Sequence, residues 1–213
     1  AFNFAFLKAP WNARAQAEVI AASIAANEAV GAPTTWVLSN HDVLRHASRL
    51  GLPGAATGAE PLNGIGANDE QPDAVVGLRR ARAASAMMLA LPGSAYLYQG
   101  EELGLPEHTS LPDELRQDPT WTRSGHTVRG RDGCRIPFPW TSEGPSLGFN
   151  GTGALWLPQP PSYADLAADA QAGVAGSTLE LYRSLLALRR EYGLGTARLD
   201  VAGEGIAGPP AGR

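Results

Sequence analysis

Asn40-His41-Asp42 sets an imidazole beside a carboxylate, a pair suited to holding a hydroxyl-rich ring and stabilising positive charge that develops on it. The triplet follows Thr34–Ser39, a β-rich run that is apolar at its centre, so it stands where a strand ends. In parallel sheets and barrels, reactive groups gather at the carboxyl ends of strands, because the loops that follow surround the pocket. The position suits a structural role equally well, with Asp42 capping a loop or helix start and His41 packing.

A second candidate is Arg131-Asp132-Gly133-Cys134-Arg135-Ile136-Pro137-Phe138-Pro139-Trp140. An arginine next to a proline-fixed aromatic segment can offer a guanidinium fork to hydroxyls or to a carboxylate, and Trp140 can serve as a platform for a sugar. Taken alone, a structural arginine in a long loop fits this segment better. The third candidate, Tyr98-Gln99-Gly100-Glu101-Glu102-Leu103-Gly104, puts two acids just past a strand end. Neighbouring residues generally point apart, so structural roles bonded to backbone are expected for both.

The elements that must position these groups are legible as an alternation. Ala1–Leu7 is short, apolar and aromatic and reads as a buried strand. Asn12 caps a helix to about Val30 with Val19, Ile20 and Ile24 inward, and Gly31 with Pro33 stops it. The strand at 34–39 follows, then a loop rich in Gly and Pro over 43–72. Asp73 caps a second helix to Leu91, with Val76, Ala83, Met87 and Leu91 near one face. Ser94–Gln99 reads as a third strand, and residues 104–176 as mostly irregular. Ser177 and Glu180 form a capping box for a last helix through Leu181, Leu185 and Leu188 to Gly193. Strand, helix, strand, helix, strand implies βαβ crossovers and a parallel sheet, and three such strands close no barrel.

Composition excludes several classes of function. A net charge of −4 disfavours nucleic acid and anionic membranes as partners. The lone Cys134 allows no internal disulfide and no cysteine-based zinc site, and His41, His46, His108 and His126 show no HExxH spacing. No apolar run is long enough to span a membrane. No metal and no cofactor is required by the residues present, and a cytoplasmic setting is expected.

In this order, Asn40-His41-Asp42 with Arg45 three residues on, Tyr98–Gly104 and the 131–140 segment resemble the α-glucosidase and oligo-1,6-glucosidase branch of the α-amylase clan. The resemblance continues through Gly148-Phe149-Asn150 into the last helix and covers residues 2 to about 195. It implies an α/β fold: the C-terminal portion of a (β/α)8 TIM barrel, incomplete as given. Residues 2–7, 35–39 and 95–99 are its sixth to eighth strands, and 196–213 a loose tail or the start of a truncated β domain. Asp42 matches the aspartate that stabilises the transition state, and His41 a histidine bonded to the bound glucose. Arg135 matches the arginine that grips the same ring from across the opening. Arg45 falls with the substrate-binding residues by ordering the catalytic loop. Ile136 and Phe138 replace the usual Thr and Met of that motif, which is expected to reshape the pocket wall.

The activity so implied is retaining hydrolysis of terminal α-glucosidic bonds in short oligosaccharides of the maltose, isomaltose or sucrose type. Such chemistry uses a nucleophile and a general acid/base about 5–5.5 Å apart. Both are expected upstream of residue 1, which leaves the chain alone inactive. The alternatives are a trehalose synthase or transglucosylase of the same clan, or a non-catalytic binding relative like the heavy chains of amino-acid transporters.

Overall fold

The structure, a computed structural model, describes residues 2–58 and 63–200. Its elements run α1 (Phe4–Leu7), α2 (Ala13–Glu28), β1 (Thr35–Val37), α3 (His46–Arg49), α4 (Ala74–Ala90), β2 (Ser94–Tyr96), α5 (Pro119–Arg123), α6 (Ala168–Gln171) and α7 (Thr178–Glu191). Short 3₁₀ turns occur in the connections. No helix among the described residues is long and apolar enough to cross a membrane.

β1 and β2 pair in parallel, with Thr35 opposite Ser94 and Val37 opposite Tyr96. The expected strand over residues 2–7 is instead a helical turn. Asn3 decides this locally: its Oδ1 accepts the Phe6 N–H at 3.0 Å, and the Leu7 N–H bonds the Asn3 carbonyl. A short buried apolar run is compatible with either conformation, so a capping side chain is enough to choose. The turn still serves the core. Phe6 meets Trp36 edge to face at 5.0 Å, while Leu7 packs with Val37 and Val43.

The long helices start where their caps predict. Asn12, Asp73 and Ser177 each accept a backbone N–H three residues on, at 2.8, 2.8 and 3.2 Å. The capping box of α7 is half formed, because Glu180 turns its carboxylate to the Gly173 N–H and to Arg183. Gly193, at φ +59°, ends this helix in the left-handed region.

The inner faces of α4 and α7 differ from expectation. The buried face of α4 runs through Gly77, Ala81, Ala84, Ser85 and Met88, whereas Ala83 is exposed. In so alanine-rich a helix, close approach matters more than hydrophobicity. A Cβ on Gly77 would lie 2.2 Å from the Ala47 carbonyl oxygen of α3, so only glycine admits this crossing. On α7, Tyr182 and Leu185 face inward, and Leu188 is exposed. Arg189 reaches back to the carbonyls of Leu89 and Leu91 at 2.6 Å each, satisfying the frayed end of α4.

Phe6, Ile20, Trp36, Leu38, Met88 and Tyr182 form the main core between the two strands and three long helices. The irregular stretch after β2 has a second core of Leu103, Leu105, Leu111, Ile136, Leu157 and Tyr163. Tyr163 donates its hydroxyl hydrogen to the Pro106 carbonyl at 2.7 Å. Phe2, Phe4, Tyr96 and Leu97 stay exposed. Of the expected tail, residues 201–213 lie outside the described residues; before them, Gly195 accepts the Gly93 N–H at 2.8 Å, which ties this segment to the start of β2.

Candidate active site

Leu38, Ser39 and Asn40 follow β1, and all three are buried. The Asn40 side chain accepts the Asp42 N–H at 2.8 Å, an Asx-type turn that swings His41 and Asp42 out of the core. His41 Nε2 lies 3.4 Å from Asp42 Oδ2.

Two arginines converge on the same carboxylate oxygen. Arg131 Nη1 donates to Asp42 Oδ1 at 2.7 Å, and Arg135 Nη2 donates to it at 3.2 Å. Arg135 Nε also donates to the His41 carbonyl at 2.7 Å, holding the backbone of the triplet. Asp42 and Arg135, expected to face each other across an opening, are therefore in direct contact.

Arg131 was legible only as the first letter of its motif, and Asp118 carried no signal at all. The structure makes them central. Arg131 is gripped on its far side by the fully buried Asp118 carboxylate, with Nε to Oδ2 at 2.5 Å and Nη2 to Oδ1 at 3.1 Å. That bidentate bond is the main cause holding the Asp118 carboxyl well below the usual range, and it raises Arg131 in turn. Asp132 accepts the N–H groups of Gln117 and Asp118 at 3.0 and 2.9 Å and so fixes the loop that carries Asp118. Because Asp118 engages Arg131, the negative charge of Asp42 is shared rather than cancelled.

Arg45 is not at the open face. It is 2% exposed, its Nη1 donates to the Gln99 carbonyl at 2.7 Å, and its guanidinium lies 5.1 Å from the Tyr98 ring centroid. Its backbone N–H bonds Glu107 at 3.1 Å. The Arg45 side chain therefore ties the loop after β1 to the chain leaving β2. The loop-ordering part of the expectation fits this geometry; direct substrate contact does not.

The two adjacent acids divide as neighbours do. Glu101 is buried, and burial pushes its carboxyl up to about 8. Glu102 was expected to be structural. Its carboxyl does bond backbone, at Gly100, and it also lines an open cleft of about 400 Å³ with Gln99, Arg135, Phe138, Trp140, Phe149 and Trp156, while burial raises the carboxyl. Of the two motif departures, Ile136 packs in the second core and Phe138 meets Trp140 on the cleft wall, ring centroids 4.5 Å apart and tilted. No cluster of three or more metal-ligating side chains exists among the described residues.

The site thus brings together an exposed carboxylate, two guanidiniums, an imidazole and an adjoining aromatic cleft, groups that can bond hydroxyls and stabilise positive charge. The family described as alpha amylase, catalytic domain, matches residues 4–196. A probable alpha-glucosidase of Rhizobium meliloti (strain 1021) is 35% identical over 155 residues, which are 73% of this chain and 24% of that protein. Maltase A1 of Drosophila melanogaster is 27% identical over 208 residues, 94% of this chain and 31% of that one. Among solved structures, the alpha-glucosyl transfer enzyme XgtA superimposes with a TM-score of 0.69 at 34% identity, over 95% of this chain and 34% of its own. The chain thus spans about a third or less of the length of these relatives.

Proposed function

As the chain belongs to the α-amylase catalytic-domain family, we propose that it forms the C-terminal part of the barrel of an exo-acting retaining α-glucosidase. In this reading β1 and β2 are the seventh and eighth barrel strands, and residues up to about 195 belong to the barrel. The exposed Phe2, Phe4, Tyr96 and Leu97 would face the barrel interior. The substrate is a terminal α-glucoside of a short oligosaccharide of the maltose, isomaltose or sucrose type.

One observation carries this reading: the Asp42 carboxylate stands open at the end of a parallel strand, braced by Arg131 and Arg135 through a single oxygen. Its other oxygen is left toward His41 and the solvent. A fixed carboxylate near the anomeric carbon favours the oxocarbenium-like transition state, and its bonds to ring hydroxyls strengthen as the ring flattens. The guanidiniums hold that carboxylate still, so little reorganisation is needed as charge develops. His41 and Arg135 stand beside it to bond the same ring.

The chain contains neither the nucleophile nor the proton donor in this reading, so both come from an upstream segment and the chain alone is silent. A longer protein that includes the upstream segment should release glucose from maltose and p-nitrophenyl α-glucoside. The purified 213-residue chain should release none, and turnover by it would overturn the assignment of the missing groups. Likeness to XgtA supports a second reading, transfer of the glucosyl group to another sugar rather than to water. Product analysis on maltose separates them: free glucose alone marks hydrolysis, whereas new oligosaccharides mark transfer.

A further inference from the structure

Ser39, the residue that leads into the Asn40-His41-Asp42 triplet, begins a line of polar contacts running away from the site into the core. Its hydroxyl oxygen accepts the His46 backbone N–H at 2.9 Å and lies 2.8 Å from Nδ1 of the His46 ring. On the other side of the ring, Nε2 meets Ser85 Oγ of α4 at 3.4 Å, the longest link. Ser85 Oγ in turn lies 2.6 Å from the Tyr182 hydroxyl of α7. All four residues are at most 3% exposed.

The donors and acceptors can be assigned along the line. Ser85 donates its hydroxyl hydrogen to the Ala81 carbonyl at 2.9 Å, so its oxygen is an acceptor and Tyr182 donates to it. The Ser39 hydroxyl then donates to His46 Nδ1, and the ring carries its proton on Nε2, on the side of α4. Burial, with help from the Arg49 and Arg45 charges, lowers the ring to about 3 and keeps it neutral. Every polar group in the line is thereby satisfied in a single arrangement.

Apolar packing fixes distance loosely, whereas a run of hydrogen bonds fixes direction as well. This run ties the residue that leads into the Asn40-His41-Asp42 triplet to two long helices, α4 and α7. We propose that Ser39, His46, Ser85 and Tyr182 are positioning residues that set where the Asp42 carboxylate stands, acting on the reaction without touching substrate. The kinetic form of this proposal rests on the glucosidase reading; its geometric form does not.

The test compares Ser39→Ala and Tyr182→Phe with wild type in the longer protein that includes the upstream segment, with Leu185→Ala as a packing control on the same face of α7. A misplacement of about 1 Å at a reacting group can cost 10²-fold, so kcat should fall about 10- to 100-fold in both hydroxyl-deletion variants, with KM changed by less than about 2-fold. Binding of 1-deoxynojirimycin, a cationic ring mimic, should weaken in step with kcat, while neutral glucose binds as before. Leu185→Ala should lower thermal stability without either change. Wild-type kcat in Ser39→Ala and Tyr182→Phe overturns the proposal, and so does an equal loss in Leu185→Ala. If the wild-type longer protein turns over no α-glucoside, the glucosidase reading fails by itself. Crystal structures of wild type and Ser39→Ala then decide the positioning claim: a shifted Asp42 carboxylate supports it, and an unmoved one overturns it.

Discussion

The buried carboxylate of Asp118 holds Arg131 by three bonds, two to the guanidinium and one to the Arg131 backbone N–H at 2.8 Å. The nitrogen left over, Nη1, points at Asp42. A charge pair closed on one side and open on the other makes Arg131 a rigid arm.

Replacing Arg131 should cost more than replacing Arg135. Arg131→Ala leaves a buried acceptor charge without its main partner, a loss of about 1–3 kcal/mol in folding stability. Arg131→Lys keeps the charge but loses the bidentate fork, and should recover only part of it. Urea unfolding of the variants measures this. Equal midpoints for Arg131→Ala and wild type would refute the account.

The same pair has a pH signature. Asp118 is held below its unfolded value of 3.8. Its contribution is therefore fully present above that value and is lost as pH falls below it toward the folded value. Unfolding midpoints measured as pH falls from about 4 to about 2 should drop more steeply in wild type than in Arg131→Ala.

Glu101 runs the opposite way. Its folded carboxyl is raised from 4.5 to about 8, so the native state binds the extra proton and stability falls as pH rises through that window. Glu107, raised to about 7, adds to the fall at lower pH, while His46, lowered from 6.5 to about 3, opposes it below 6.5. Between about pH 7 and 8, Glu101 should dominate among these three. Glu101→Gln mimics the protonated form, so it should flatten the stability curve in that interval. An unchanged slope would mean that the carboxyl titrates normally.

Asp42→Asn should lower kcat of the longer protein that includes the upstream segment by about 10²–10³, as removal of one preorganised group does. The Asn side chain keeps the size and one acceptor oxygen, so its unfolding midpoint should stay close to that of wild type. Steady-state kinetics on p-nitrophenyl α-glucoside reads the first effect and urea unfolding the second.

Gly77→Ala should destabilise by about 1–3 kcal/mol, because its Cβ would meet the Ala47 carbonyl oxygen at 2.2 Å and backbone must move to admit it. Ala83→Ser, on the exposed side of the same helix, should leave the thermal midpoint nearly unchanged. Matching losses in both would show that the crossing of α3 and α4 is not tight.

Much of this protein was legible in short stretches of sequence. Asn12, Asp73 and Ser177 begin their helices through bonds to residues three positions on, and Gly193 ends one, because capping is settled within a single turn. The place of Asp42 after a parallel strand was also within reach of motif and order, but its direct contact with Arg135 was not, since the two were expected to face each other across an opening. What the chain alone left open was every question of which atoms meet across long separations. Asn3 turned an apparent strand into a helical turn, and small residues rather than Val76 and Met87 chose the buried face of α4. Arg131 reaches Asp42 from 89 positions away, and Arg45 turns inward instead of toward the opening. Such contacts depend on the path of an irregular loop around its own core, and residue type and spacing encode neither.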